Sequence, residues 1–275
     1  MTEQTAAGAQ ATGEPITGLF AVRDGAAPEV IAPSAGTDRG FGGHVAALAL
    51  AAAYQSVPAD LVVHHVHVEF LRPAIVGQPV HLEVQPTSDG RSIVRRLVEA
   101  SQPGEPACAT MLATFSRPDP GGLDFQYPMP TAPAPGEGRE RHTAHVEIRH
   151  VPGLSDPSRQ QVWFRPHVRP LSPDPRLQDC ALLFLSDFTV LWPTMTVHGL
   201  NPARDRRAVL GTVAHTVWFH RHGKINDWLF YDQWTPSTSG GLGHGEGRIF
   251  TPSGLLLASA TQVGLLRSQA IPADS

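Results

Sequence analysis

Apolar positions along the chain change their spacing twice, in the same order each time. Residues 42–57, GGHVAALALAAAYQSV, are rich in Ala and Leu and free of Pro. Such a run predicts a helix that is apolar over most of its surface and therefore largely buried. After it, VVHHVHVEFLRP, QPVHLEVQPTSDGRSIVRRLVEAS and ACATMLATFS alternate β-branched or apolar residues with polar ones, broken by DG and PGEP turn signals. A period of two marks strands with one covered face. The order then repeats. LQDCALLFLSDFTVLW, residues 177–192, predicts a second apolar helix, and GTVAHTVWFHR, DWLFYDQWTP, GEGRIFTPSG and LLLASATQVGLLR predict strands.

Register tests the repetition. Phe70-Leu71-Arg72-Pro73 closes one strand and Phe219-His220-Arg221-His222 closes another, 149 positions on from Phe70 to Phe219. The same shift lays Val80-His81-Leu82-Glu83 on Leu229-Phe230-Tyr231-Asp232 and Ala109-Thr110-Met111 on Ala258-Ser259-Ala260. One offset holding at three places points to a duplicated unit. A buried helix followed by strands fits a helix packed on a curved antiparallel sheet, so the predicted class is α+β, a double hotdog. Residues 116–138, SRPDPGGLDFQYPMPTAPAPGEG, are too rich in Pro and Gly to continue a strand or helix. The expected division is a disordered lead at 1–18, a first module at 19–116, a linker at 117–158, a second module at 159–268 and a tail at 269–275.

Composition narrows the field. The 275 residues are 41% hydrophobic and 17% charged, enough apolar material for packed cores and too much for a disordered chain. A net charge of -4 with no basic patch gives no reason to expect nucleic acid. No run approaches the roughly 18 apolar residues that cross a bilayer. MTEQTAAGAQATGEPITG has neither a basic start nor an apolar centre, so it does not read as a secretory signal, and a cytoplasmic protein is expected. Cys108 and Cys180 sit in apolar stretches and are expected as buried, reduced thiols without the electropositive neighbours of a reactive cysteine.

Several residues carry candidate chemistry. Asp187 interrupts the apolar run CALLFLSDFTVLW, where an unpartnered carboxylate would cost several kcal/mol in desolvation, so it needs partners or a raised pKa. Gly42 and Gly43 precede the first helix; backbone N–H groups at such a start hold a thioester oxygen or a phosphate, or the glycines simply make a tight entry. A period of two puts His65, His67 and Glu69 on one face of their strand and His64, Val66, Val68 and Phe70 on the other. Two His and a Glu on one face are a conceivable metal set. Adjacent strand histidines more often pack or hydrogen-bond, and no metal or other cofactor is assigned. The residues are instead read as polar lining of a substrate pocket, or a second base, with His44 joining them if helix and strand face each other. Ser186 lies outside a G-x-S-x-G elbow. GGLGHGEG at 240–247 leads into a strand, against a dinucleotide loop.

The stretches FGGHVAALAL, VHHVHVEFLRP, DGRSIVRRLVEA, FLSDF, GTVAHTVWFHR, DWLFYDQ and LLLASATQVGLLR, in this order, resemble the acyl-CoA thioesterase II family of double hotdog enzymes. The resemblance covers residues 40–267. It implies a catalytic Asp on the second module's helix, a Thr at the start of a facing strand and a Gln near the last strand. The matching positions are Asp187, Thr212 and Gln262. The chain departs from the family pattern at His44 for Gln, Ala214 for Asp, Val263 for Glu and Leu242 for Arg.

Three functions follow. The first is hydrolysis of an acyl thioester carried on coenzyme A or an acyl carrier protein, with Asp187, Thr212 and Gln262 activating water and Gly43, His44, His65, His67 and Glu69 lining the substrate site. The second comes from a further resemblance, to thioesterases of actinobacterial natural-product pathways. Here glycine or another amine adds to an α,β-unsaturated thioester before release of a β-amino acid, with the extra histidines as bases. The third is a non-catalytic acyl-binding module, which would have no reason to keep all three catalytic residue types. Exposed sheet edges allow homo-oligomers.

Overall fold

The computed structural model describes residues 16–23, 25–32, 38–137, 139–143, 145–167, 172–202, 205 and 208–268. The expected lead therefore falls mostly outside the described residues, although Ile16–Phe20 forms a 3₁₀ turn, and the expected tail at 269–275 falls outside them entirely. The strands are β1 (Ala26–Glu29), β2 (Val62–Phe70), β3 (Pro79–Asp89), β4 (Ile93–Ser101), β5 (Ala109–Ser116), β6 (Arg139–His142), β7 (Val146–His150) and β8 (Arg159–Pro166). They continue with β9 (Ala208–Phe219), β10 (Leu229–Ser239), β11 (Leu242–Phe250) and β12 (Leu256–Ser268). The helices are α1 (Gly42–Gln55), α2 (Pro175–Ser186) and the single turn α3 (Pro193–Thr196). All twelve strands join one antiparallel sheet in the order β1-β3-β4-β5-β2-β9-β12-β11-β10-β8-β7-β6. This is the double hotdog architecture.

The 149-residue shift is built into the pairing. Phe70 opposes Ala109 in β2–β5, and their copies Phe219 and Ala258 oppose one another in β9–β12. Even an irregularity is repeated, since Ser88 opposes Arg95 beside a bulge and Ser237 opposes His244 beside another. The halves meet where β2 pairs with β9, and there His67 opposes Thr216, its own copy. A pseudo-twofold axis therefore passes between β2 and β9.

Both long helices lie on one face and run antiparallel. At one end Gly43 N–H reaches Asp187, and at the other the Tyr54 hydroxyl donates to Asp179 Oδ2 at 2.5 Å. Side chains from Gly43 to Tyr54 are all buried, and the many alanines let α2 and the sheet approach closely. α2 ends earlier than expected, at Ser186 rather than near residue 192. It begins with a real cap, Asp174 accepting from Arg176 N–H at 2.9 Å with Pro175 at the first helical position.

The segment 117–158 is not connector throughout, because β6 and β7 within it extend the sheet beyond β8. Composition hid them, both being short strands that follow the Pro-rich run directly. Arg117 still pairs with Asp60 of the first half, and from Asp124 to Pro133 the segment crosses the outer face of the second. There Met129 and Ala132 pack on Trp163, Phe230, Phe250 and Leu256, Trp163 Nε1 donates to Pro133 O at 2.9 Å, and Gln126 bonds Gly254 O and Leu256 N.

Candidate active site

Asp187 sits at the C-cap of α2, against the N-terminus of α1. A carboxylate at a helix C-terminus meets the negative end of that helix's dipole, whereas a neighbouring helix start offers N–H groups. Asp187 Oδ2 accepts from Gly43 N–H at 2.6 Å, and Oδ1 accepts from Gln262 Nε2. The same Gln262 amide nitrogen lies 2.9 Å from Thr212 Oγ1. Because a carboxylate only accepts, the amide must present its NH2 to Asp187, which fixes the orientation of Gln262. Its Oε1 is buried with no partner among the described groups. Thr212, accepting from Gln262, keeps its own O–H for another acceptor. The three residues singled out by resemblance are thus one hydrogen-bonded set.

Asp187 and Thr212 line a cavity of about 470 Å³, with Gln262 buried beside them. β2–β9 pairing stops at Glu69–Ala214, and the chains beyond it part, so that Phe70–Ala74 and Leu210–Val213 line opposite walls. Arg39–Gly42, Val45 and Cys108 of the first half and Leu265 and Asp187 of the second complete the lining. Both halves contribute to one site. Gly43 is required by space: a Cβ there would lie 2.8 Å from Asp187 Cβ, from Phe184 O and from a Phe41 ring carbon. Its N–H goes to Asp187, so in this geometry it serves the carboxylate rather than a substrate oxygen.

The remaining pocket expectations land elsewhere. His44 is fully buried; its Nδ1 accepts from Ile31 N–H at 3.2 Å and its Nε2 lies 2.9 Å from Leu19 O. Burial pushes its pKa down to about 4, against the Leu19 bond, with a smaller contribution from His145 in the same direction as burial. It fastens the N-terminal segment to α1 and does not line the cavity. His65, His67 and Glu69 share a face as expected, but it is the outer one, since Val63, Val66 and Val68 are buried on the helix side. There His67 bridges Glu69 Oε1 at 3.0 Å and Thr216 Oγ1 at 2.7 Å, while His65 Nδ1 lies 3.1 Å from His64 Nδ1. A bulge between Val63 and His65 turns His64 outward as well, contrary to strict alternation.

Sequence reasoning missed the support behind Asp187. Ser186 Oγ lies 2.8 Å from both Leu183 O and His215 Nε2, and the Tyr231 hydroxyl donates to Ser186 O at 2.9 Å. His215 is fully buried and opposes Gln262 in β9–β12. Burial lowers its pKa, with Asp187 opposing. Two residues past Asp187, Thr189 is the one non-glycine with positive φ among the described residues, at 65°. Gln233 Nε2 meets its hydroxyl at 2.8 Å, which holds the sharp exit from α2. His215 was legible in principle, because Val217 and Phe219 place that parity of β9 inward.

Sequence and structure comparisons agree on kinship. A profile for the acyl-CoA thioesterase N-terminal domain matches residues 32–116, and one for acyl-CoA thioesterase matches residues 139–265. A solved acyl-CoA thioesterase II from Mycobacterium marinum is 36% identical, covers 84% of this chain and 90% of its own, and superposes with a TM-score of 0.76. The chain belongs to the acyl-CoA thioesterase II family. Its kinship extends to acyl-CoA thioesterase 2 of Haemophilus influenzae, 28% identical over 254 residues spanning 82% of this chain and 87% of that protein. The second profile starts at Arg139, where β6 begins, so the family's second unit includes the two strands that composition had assigned to the linker.

Proposed function

We propose that this family member hydrolyses acyl-CoA thioesters, with Asp187 as general base. The observation that carries the reading is the Asp187 carboxylate at a cavity shared by both halves, tied through one amide to Thr212. A water held by Asp187 and oriented by the Thr212 O–H, with the Gln262 amide positioning both side chains, gives its proton to the carboxylate as its oxygen attacks the thioester carbonyl. Collapse of the tetrahedral intermediate breaks the C–S bond, and the proton on Asp187 passes to the departing thiolate. Phe41, Val45, Phe70, Leu210 and Val213 give the acyl chain apolar walls.

Coenzyme A is favoured over a carrier protein because the named relatives are acyl-CoA enzymes. Addition of glycine to an unsaturated thioester gains nothing from the histidines first invoked for it. His44 has both ring nitrogens engaged in the interior, and His65 and His67 lie on the opposite face of the sheet.

Thiol release and product mass from saturated and α,β-unsaturated acyl-CoA, each with and without glycine, test both readings. The plain acid is expected in every case, and Asp187→Asn is expected to lower kcat by about 100-fold or more with the fold intact. A folded Asn variant that retains turnover refutes the general-base role. A product heavier by one glycine revives the addition reaction.

A further inference from the structure

We infer that Arg72 recognises a phosphate of coenzyme A at the mouth of the cavity, an inference that rests on the acyl-CoA reading above. The charged residues lining the cavity are Arg39, Arg72 and Asp187, two cations with the carboxylate set between the helices. The chain as a whole is anionic, at -4, so a mouth carrying two arginines runs against its average charge.

The duplication supplies an internal control. The copy of Arg72 in the second half is Arg221, and each lies two positions past the end of one of the two strands that join the halves, at Phe70 and Phe219. Each donates to an equivalent carbonyl, Arg72 Nη1 to Ala107 O and Arg221 Nη1 to Leu256 O, again 149 positions apart. That shared bond is the structural duty of the position. The copies then diverge. Arg221 is mostly covered and ion-paired with Asp124, at the start of the crossing segment. Arg72 is exposed, lines the cavity, and meets no carboxylate among the described residues. A guanidinium in a fixed position at the entrance, with donors left after the Ala107 bond, suits a phosphate ester. An acyl-CoA carries phosphates at the far end of its pantetheine arm, so the thioester enters first and the phosphates stay at the mouth.

The experiment separates this role from the structural one by substrate. Wild type and Arg72→Gln are assayed with an acyl-CoA, the same acyl phosphopantetheine, and the same acyl thioester of N-acetylcysteamine, which has no phosphate. Arg72→Gln is expected to raise KM for acyl-CoA about tenfold with kcat within about twofold, leaving kcat/KM for the N-acetylcysteamine thioester unchanged. Arg72→Lys, which keeps the charge, is expected to recover most of the loss. If the effect persists with acyl phosphopantetheine, the recognised group is the 4′-phosphate. If it vanishes there, the group belongs to the nucleotide. Equal losses on all three substrates, or none, overturn the inference. Calorimetric binding of free coenzyme A to both proteins keeps the test independent of turnover. Weaker binding by Arg72→Gln is expected, and unchanged binding overturns the inference even where hydrolysis by wild type is normal.

Discussion

At the scale of single residues, the site depends on room as much as on functional groups. Gly43 lies in α1, where alanine would favour the helix by about 1 kcal/mol. Space decides against it, because the added Cβ would meet Asp187 Cβ and the Phe184 carbonyl at 2.8 Å, and a backbone oxygen cannot swing aside. Gly43→Ala is therefore expected to lower kcat more than tenfold and to destabilise the protein by about 1–3 kcal/mol, by forcing α1 and α2 apart. Activity and thermal melting check this together, and a variant with unchanged kcat and a higher Tm refutes it. Resemblance pointed to Asp187, Thr212 and Gln262, and the structure brings them into contact. It could not show that the Gly43 N–H is directed at the carboxylate, since that bond spans 144 residues and depends on how two helices meet. Ser186 and His215 are paired by the packing of α2 on β9, although the inward parity of β9 alone marked His215 as a buried position. Each looks ordinary locally and matters only through the other.

At the scale of elements, alternation and apolar runs placed the helices and most strands, and failed where local geometry breaks the period. The bulge after Val63 turns His64 outward, and Thr189 in the left-handed region stops α2 short of the apolar run that predicted it. His44 shows the cost of reading a polar residue on a buried helix as a pocket group. It instead ties α1 to Leu19 and Ile31, amid the Phe20 and Phe184 rings and near His145. With its folded pKa near 4 and an ordinary value of 6.5, the unfolded chain takes up the proton first. Stability from a neutral His44 is thus complete above pH 6.5 and is lost as pH falls toward 4, by about 3 kcal/mol over the whole window. Urea unfolding at pH 7 and pH 5 of wild type and His44→Gln isolates this contribution from that of the other buried histidines. The variant is expected to lose about 2 kcal/mol less than wild type between the two values. Equal losses would mean that folding leaves the His44 pKa where it is in the unfolded chain.

At the scale of the molecule, the duplicated register was legible because one offset survives in the strands, while the joint between copies was not. That joint is the β2–β9 pairing, where His67 meets its own copy, and it makes the halves one sheet over one continuous core. The cavity follows from it, opening where these two strands part. Two modules joined only by the crossing segment would unfold separately, whereas two sharing a central strand pair and an antiparallel helix pair should unfold together. The chain carries its own reporter, since all five tryptophans, Trp163, Trp192, Trp218, Trp228 and Trp234, lie in the second half. Met111 lies on β5 of the first half, 1% exposed, and its replacement by alanine should cost about 2–5 kcal/mol. Tryptophan fluorescence of Met111→Ala is expected to show a single transition at a lower urea midpoint, coincident with far-UV circular dichroism. If the tryptophan midpoint stays put while the dichroism acquires an early phase, the halves are independent folding units. A site assembled from both would then depend on their docking rather than on a common fold.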